Sequence, residues 1–336
     1  MRAVFGADLP EGLLDDAFLQ WKFFAPHPGW DGARSYVVRD AGSIAGQSIS
    51  GESIAAHACV WPTGFETPAG TVSSSHLIDW FAKPSVPGAG IALYRDLMRR
   101  TDTVVAIGGS SQARKLLPKI GFRPYATFCT YACVVRPWKQ FRTRPHGPAW
   151  REFARLGRNT SWSLHKVPSP PSGWSAEPAA RVEDPLPVAR ASTFSPGHRS
   201  APLLNYLLAC PAAACRYFRV FRDAALCGYF LLNQVAGQCR IIDLRVESDH
   251  PGDWRSAYRL AVRTASALEE TCEVIVVSAL PWLNEMLQQD GLRLRDERPV
   301  VLHDPHGRLA GAPPLHLQMV DSDAFFLYSR SYPFVT

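Results

Sequence analysis

His76 and Asp79 stand three residues apart in the run His76-Leu77-Ile78-Asp79-Trp80-Phe81-Ala82. An imidazole and a carboxylate at that spacing can take up and hand on protons, and Glu52 upstream is a further carboxylate for the same work. Shortly after comes Ser85-Val86-Pro87-Gly88-Ala89-Gly90-Ile91-Ala92. Glycines between a strand and a helix let backbone N–H groups approach a phosphate, although an ordinary Pro-Gly turn looks the same in sequence. Ser110 and Ser111 follow a Gly-Gly pair, where capping of a helix is the commonest use of a serine. Asp321 and Asp323 form a small acidic pair near His316, read here as a solvated loop rather than a metal site. The chain has no GxSxG, HExxH, Walker A or long Rossmann glycine pattern, and its 8 cysteines include no CxxC pair. Buried, reduced thiols and no metal are the expectation.

The elements that must position these residues follow from periodicity. Residues 34–39 read as a strand, 40–42 as a turn, 43–50 as the return strand and 57–61 as a third. Residues 72–82 form a longer strand, with Val72, His76, Ile78, Trp80 and Ala82 on one side and Leu77, Asp79 and Phe81 on the other. A helix over 91–100 buries Leu93, Leu97 and Met98. A short strand over 103–107, a helix over 111–119 ended by Gly121, and a strand over 123–135 complete the set. The order then recurs: strands over 215–222, 226–235 and 238–246, a helix over 254–270, a strand over 273–279 and a helix over 281–289. His76-Leu77-Ile78-Asp79-Trp80 aligns with Arg240-Ile241-Ile242-Asp243-Leu244, and Ile120-Gly121-Phe122 with Asp290-Gly291-Leu292. Such self-similarity marks a duplicated unit.

The 336 residues suit two domains, and 46% hydrophobic composition makes them globular. The division expected is 1–140, a joint over 141–190 and 191–336. The 28 prolines concentrate in the joint and loops, with one short helix near Trp150 to Leu156. The net charge of +6 is mild. Its one concentration, Arg136, Lys139, Arg142, Arg144, Arg151, Arg155 and Arg158, reads as a solvated linker, with a patch for phosphate, anionic glycan or a membrane surface as the sharper alternative. No apolar run is long enough to span a bilayer, and no signal-peptide pattern is present at the start, which favours the cytoplasm.

The strand at 76–82, the loop at 85–92 with its helix, the strand before Gly108-Gly109-Ser110-Ser111, and Lys119-Ile120-Gly121-Phe122 together resemble the GNAT acyltransferase family. The likeness covers residues 34–135 well and 215–295 weakly, and tandem bacterial members share the Trp21-Lys22-Phe23 opening and the late Asp-Ser-Asp. It implies an α/β (α+β) fold of two tandem GNAT-like units, each a mixed, mostly antiparallel sheet flanked by helices. It also implies an N-acyltransferase using acetyl-CoA, acting on an amino group of a small molecule or of a glycan or peptide precursor. In this reading Asp79 is the leading base, with His76 and Glu52 behind it. Trp80, Phe81, Ala82, Pro87, Gly88, Ala89, Gly90, Ile91, Ser110 and Ser111 hold the coenzyme. Two departures stand out: Ser85 replaces the family's Arg or Gln, and Leu117 stands where a thiolate-protonating Tyr is common. The second loop, Asp249-His250-Pro251-Gly252-Asp253, carries acid where a pyrophosphate would bind, so the second unit is expected to be degenerate. The rival readings are a Fem-type aminoacyl transferase drawing on aminoacyl-tRNA, and a catalytically silent unit that binds a ligand or partner.

Overall fold

The computed structural model describes residues 15–40, 53–143, 148–183, 185–186, 193–327 and 334–336. In the first unit, α1 (Asp16–Phe23) precedes an antiparallel meander of β1 (Ser35–Asp40), β2 (Ser53–Thr67) and β3 (Gly70–Ala82). Then come α2 (Ala89–Met98), β4 (Thr103–Ile107), α3 (Ser111–Leu116) with a 3-10 turn over Leu117–Ile120, and β5 (Arg123–Val134). Next come α4 (Pro137–Thr143), α5 (Ala149–Leu164), β6 (Trp174–Ala179), the short β7 (Ser195–Pro196) and α6 (Ala201–Leu208). The second unit runs β8 (Ala214–Arg222), β9 (Ala225–Val235), β10 (Gln238–Val246), α7 (Pro251–Ala267), β11 (Glu273–Ser278), α8 (Pro281–Gln289) and β12 (Arg293–His303). β13 (Leu315–His316) and two 3-10 turns, Met319–Asp321 and Asp323–Phe325, close the described chain.

Eleven strands form one sheet in the order β1-β2-β3-β4-β12-β5-β11-β10-β9-β8-β6. The two units exchange their last strands. β12, from the second unit, pairs antiparallel with β4 of the first, while β5, from the first, pairs antiparallel with β11 of the second. β5 and β12 then pair with each other, which makes the sheet continuous. The second unit's hairpins are tight because Asp223 and Ala224 (φ 48° and 65°) and Ala236 and Gly237 (φ 44° and 80°) take the positive φ that two-residue turns of this hand require.

Helices cover one face of the sheet. Leu93, Tyr94 and Leu97 of α2 and Leu117 pack on β2 to β4, and Trp254, Ala261, Leu283 and Leu287 of α7 and α8 pack on β9 to β11. The opposite face is sealed by Phe18 and Trp21 of α1, Leu204 of α6, and Phe325 and Phe326 after β13. Both units therefore share one core on this side.

Several expectations need correction. The partner of β1 is β2, so the segment read as a third strand at 57–61 is part of the second, and the return strand placed at 43–50 lies outside the described residues. The joint is not a linker: its short helix near Trp150 is the 16-residue α5, and α4 and β6 flank it. The alternation assigned to 72–82 reverses partway. A β-bulge sets Asp79 and Trp80 against a single residue of β2, since His57 pairs with Phe81 but Cys59 with Ile78. Beyond it, Trp80 turns to the opposite face from Ile78 and packs on Tyr94 of α2, ring centroids 4.6 Å apart.

Candidate active site

β3 and β4 run parallel only from Ser74–Thr103 to His76–Val105 and part beyond that point. The bulge falls just past the fork. Asp79 adopts φ 53°, a left-handed conformation that an aspartate tolerates better than most residues. His57 bonds the Asp79 carbonyl through Nδ1 at 3.0 Å and Ser35 Oγ through Nε2 at 3.0 Å. The bulge is thus held from the β2 side through His57.

The loop that follows fits the sequence reading. Gly88 (φ 86°) is the N-cap of α2, and no atom lies within 4 Å of where its Cβ would stand, so the approach to the helix N-terminus is open. A Cβ on Gly90 would lie 2.7 Å from Ala82 Cβ and 3.1 Å from Trp80 Nε1, so only glycine lets the helix start against the end of β3. Trp80 Nε1 donates to the Gly90 carbonyl at 3.1 Å and locks the two together. Phe81, Ala82, Pro87, Ala89 and Ile91 line up along this strand end and helix start. Across the fork, Ser110 caps α3, its hydroxyl accepting from the Ala113 N–H at 3.1 Å, and Ser110 and Ser111 are both exposed. The result is two helix N-termini facing an open fork, an arrangement that suits an elongated ligand carrying phosphates.

On the other face of the fork lies a cavity of about 450 Å³, lined by residues of both units. His76, Thr130, Arg298, Val277 and Asp323 are among its walls. His76 is buried, which holds its imidazole down to about 4, and neutral. Its Nε2 accepts a long bond of 3.5 Å from the Ile107 N–H, leaving Nδ1 buried without a partner. A neutral ring that accepts at Nε2 carries its proton on Nδ1, a buried donor for which no partner is seen among the described residues.

Asp79 is placed differently from what a free base requires. Its carboxylate accepts from Lys22 Nζ of α1 at 2.6 Å, with both side chains almost out of solvent. Burial opposes the charge on Lys22, but Asp79, with Asp323 further off, holds the ammonium above its ordinary range. Asp323 shares this cation without a direct bond, and burial pushes its carboxyl up to about 6. A lysine between two carboxylates thus ties α1, the bulge and the 3-10 turn at the cavity wall. The acidic pair is therefore not a solvated loop: Asp321 is buried, accepts from Thr63 Oγ1 at 2.8 Å and pairs with Arg199 at 3.0 Å, while Asp323 is half-buried at the cavity wall. Glu52 lies outside the described residues. Leu117 is buried in the core under α2. Sequence reasoning missed Lys22, His57 and Asp323 as one assembly, because they lie far apart in the chain and only the fold joins them; the Trp21-Lys22-Phe23 opening was the one signal.

The second unit repeats the scaffold and closes it. β10 and β11 also part, after Ile241 and Val276, with a bulge before Asp243. There Asp243 is saturated by Arg199 Nε at 3.0 Å, Tyr229 OH at 2.9 Å and Gln318 Nε2 at 2.8 Å. The Gly252 N–H at the start of α7 is taken by His250 Nδ1 at 3.1 Å. Phe194 wedges between the first turns of α7 and α8, its ring 5.0 Å from Trp254 and 5.9 Å from Trp282.

No protein-family model and no curated protein matches the sequence. Solved structures do. N-myristoyltransferase of Saccharomyces cerevisiae, with bound myristoyl-CoA, aligns over 86% of this chain and 74% of that one, with a TM-score of 0.53 and 12% identity. Together with the repeated fork, bulge and glycine loop, that alignment decides the architecture. The chain shares the fold of that acyltransferase. A tandem GNAT protein from the clavulanic acid biosynthesis pathway aligns over 88% of this chain and 90% of that one at a TM-score of 0.47 and 15% identity. A GCN5-related N-acetyltransferase from Anabaena variabilis aligns over 74% and 60% at 0.47 and 12%, so the chain spans 60% of that protein's length. At such identities the likeness concerns the fold. Among the described residues no helix is long and apolar enough to cross a membrane, and no group of three His, Cys, Asp or Glu is placed to hold a metal.

Proposed function

We propose that the first GNAT unit binds an acyl-coenzyme A, with acetyl-CoA as the expected donor, and transfers the acyl group to an amine seated in the cavity between the units. The observation that carries this reading is the pairing of an open fork, faced by two helix N-termini, with a cavity directly behind it. The coenzyme would lie along β3 past the bulge, with its phosphates on the N–H groups at Gly88, Ala89 and Gly90. The bound thioester supplies the activated acyl group. A cavity of about 450 Å³ suits a small molecule or the end of a glycan or peptide.

Asp323 is the base this geometry favours, since Asp79 is engaged by Lys22 and is better suited to fixing the bulge. Asp323 takes a proton from the acceptor ammonium, the amine forms a bond to the thioester carbon, and the carbon–sulfur bond breaks. His76, at the cavity wall with Thr130 and Arg298, is one of several side-chain donors near the charge that develops on the carbonyl oxygen. With Leu117 in place of a tyrosine, the departing thiolate takes its proton from solvent. That same residue supports the silent alternative, in which the coenzyme binds and no transfer follows. The tRNA-dependent rival gains little: Arg136 is committed to the Leu268 and Thr271 carbonyls and Lys139 to Glu270.

Thermal shift with acetyl-CoA tests the proposal. Wild type should be stabilised, and Gly88→Glu should lose that response, because a carboxylate would stand where the phosphates bind. Gly311→Glu is the control, since Gly311 (φ 76°) is equally strained and equally open but lies elsewhere. A wild type indifferent to acetyl-CoA and to longer acyl-CoAs would sink the reading. Binding without thiol release across a panel of amines would select the silent one.

A further inference from the structure

The helical pair α4 and α5 is built with its polar side inward. On α5, Glu152 and Asn159 are buried, Asn159 donating to Gln140 of α4 at 2.8 Å, and Gln140 in turn donates to Glu273 of β11 at 3.2 Å. The outward face carries the apolar residues. Trp150 is 69% exposed, Phe153 63% and Leu164 76%, with exposed Ala154, Gly157 and Ser161 between them at helical spacing. α4 extends the same surface through Trp138, 52% exposed, whose ring lies 5.5 Å from Phe141, itself 5.8 Å from Phe153. A globular helix ordinarily does the reverse, so this face calls for something to cover it.

Charge identifies the cover. Lys139, Arg142, Arg151, Arg155 and Arg158 lie on the two helices, with Lys139 paired to Glu270 at 2.8 Å and Arg155 to Glu152, the helices' only acid, at 2.9 Å. The Arg142 and Arg151 guanidiniums lie 5.3 Å and 5.1 Å from the Trp138 and Trp150 rings, at the edge of the apolar face. A second copy of the chain across a two-fold axis would bring these arginines against their own mates. Exposed tryptophan and phenylalanine flanked by arginine match instead the boundary between lipid headgroups and acyl chains.

We propose that α4 and α5 dock the protein peripherally on an anionic bilayer, with Trp138, Trp150, Phe153 and Leu164 entering the interface and the arginines meeting lipid phosphates. The proposal stands apart from the acyltransferase reading. Its test is co-sedimentation with vesicles of equal parts phosphatidylglycerol and phosphatidylcholine, beside vesicles of phosphatidylcholine alone. Wild type should sediment with the anionic vesicles, less so at high salt. Binding should weaken about ten-fold or more on phosphatidylcholine alone and in Trp150→Ser/Phe153→Ser, whose exposed positions leave the fold intact. Three results overturn it: no sedimentation of wild type, equal binding by the double variant, or a wild-type dimer in solution that the double variant dissociates.

Discussion

Lys22 is one cation between two carboxylates, and the two respond differently. Asp79 bonds it directly, whereas Asp323 makes no direct bond to it and burial pushes the Asp323 carboxyl up to about 6. A carboxyl raised in the native state holds a proton there that the unfolded chain has already released. Stability therefore falls as pH rises between about 4 and 6, by up to about 1.4 kcal/mol per pH unit for a single group. Asp323→Asn removes this contribution. Urea unfolding of both proteins should show wild type losing stability relative to Asp323→Asn across that window, with a constant difference above it. A difference independent of pH would mean that Asp323 is solvated. The sequence showed the acids but not this behaviour, because burial of Asp323 depends on Lys22 about three hundred positions away. His76 was legible as a strand residue at the fork. Asp79 was read as the leading base, and only the bulge, invisible in a regular alternation, set its side chain against α1.

At the scale of elements, most of both units could be read from periodicity, capping serines and Gly121, because α2, α7 and α8 each bury one apolar stripe under the sheet. β12 could not, since of its eleven residues only Val300 is buried and no apolar alternation marks it. α4 and most of α5 were read as linker for the opposite reason: their apolar residues face out, so their pattern does not announce a core. β12 matters most, because it fills the place beside β4 that β5 vacates. A fragment of residues 1–140 would contain β5 without its partners β11 and β12 and leave β4 with an open edge. It should fail to unfold cooperatively by circular dichroism, and co-expression with 141–336 should restore a cooperative transition. A fragment 1–140 that folds alone would show that the strand exchange is dispensable.

At the scale of the molecule, duplication has produced two forks with different fates. The first is open at Gly88, Ser110 and Ser111 and backed by a cavity that the second unit helps to wall. The second is closed three times over, by Phe194 between the helix starts, by His250 on the Gly252 N–H, and by Arg199, Tyr229 and Gln318 around Asp243. The acid in the second loop hinted at this loss in the sequence. The plug itself did not, because Phe194 precedes the repeated strands and lies outside the repeat. The account thus assigns ligand binding to one unit and support to the other, and isothermal titration calorimetry of the full chain with acetyl-CoA tests that assignment most directly. One coenzyme per chain, abolished by Gly88→Glu, is the result expected; two per chain, or one that survives Gly88→Glu, would contradict it.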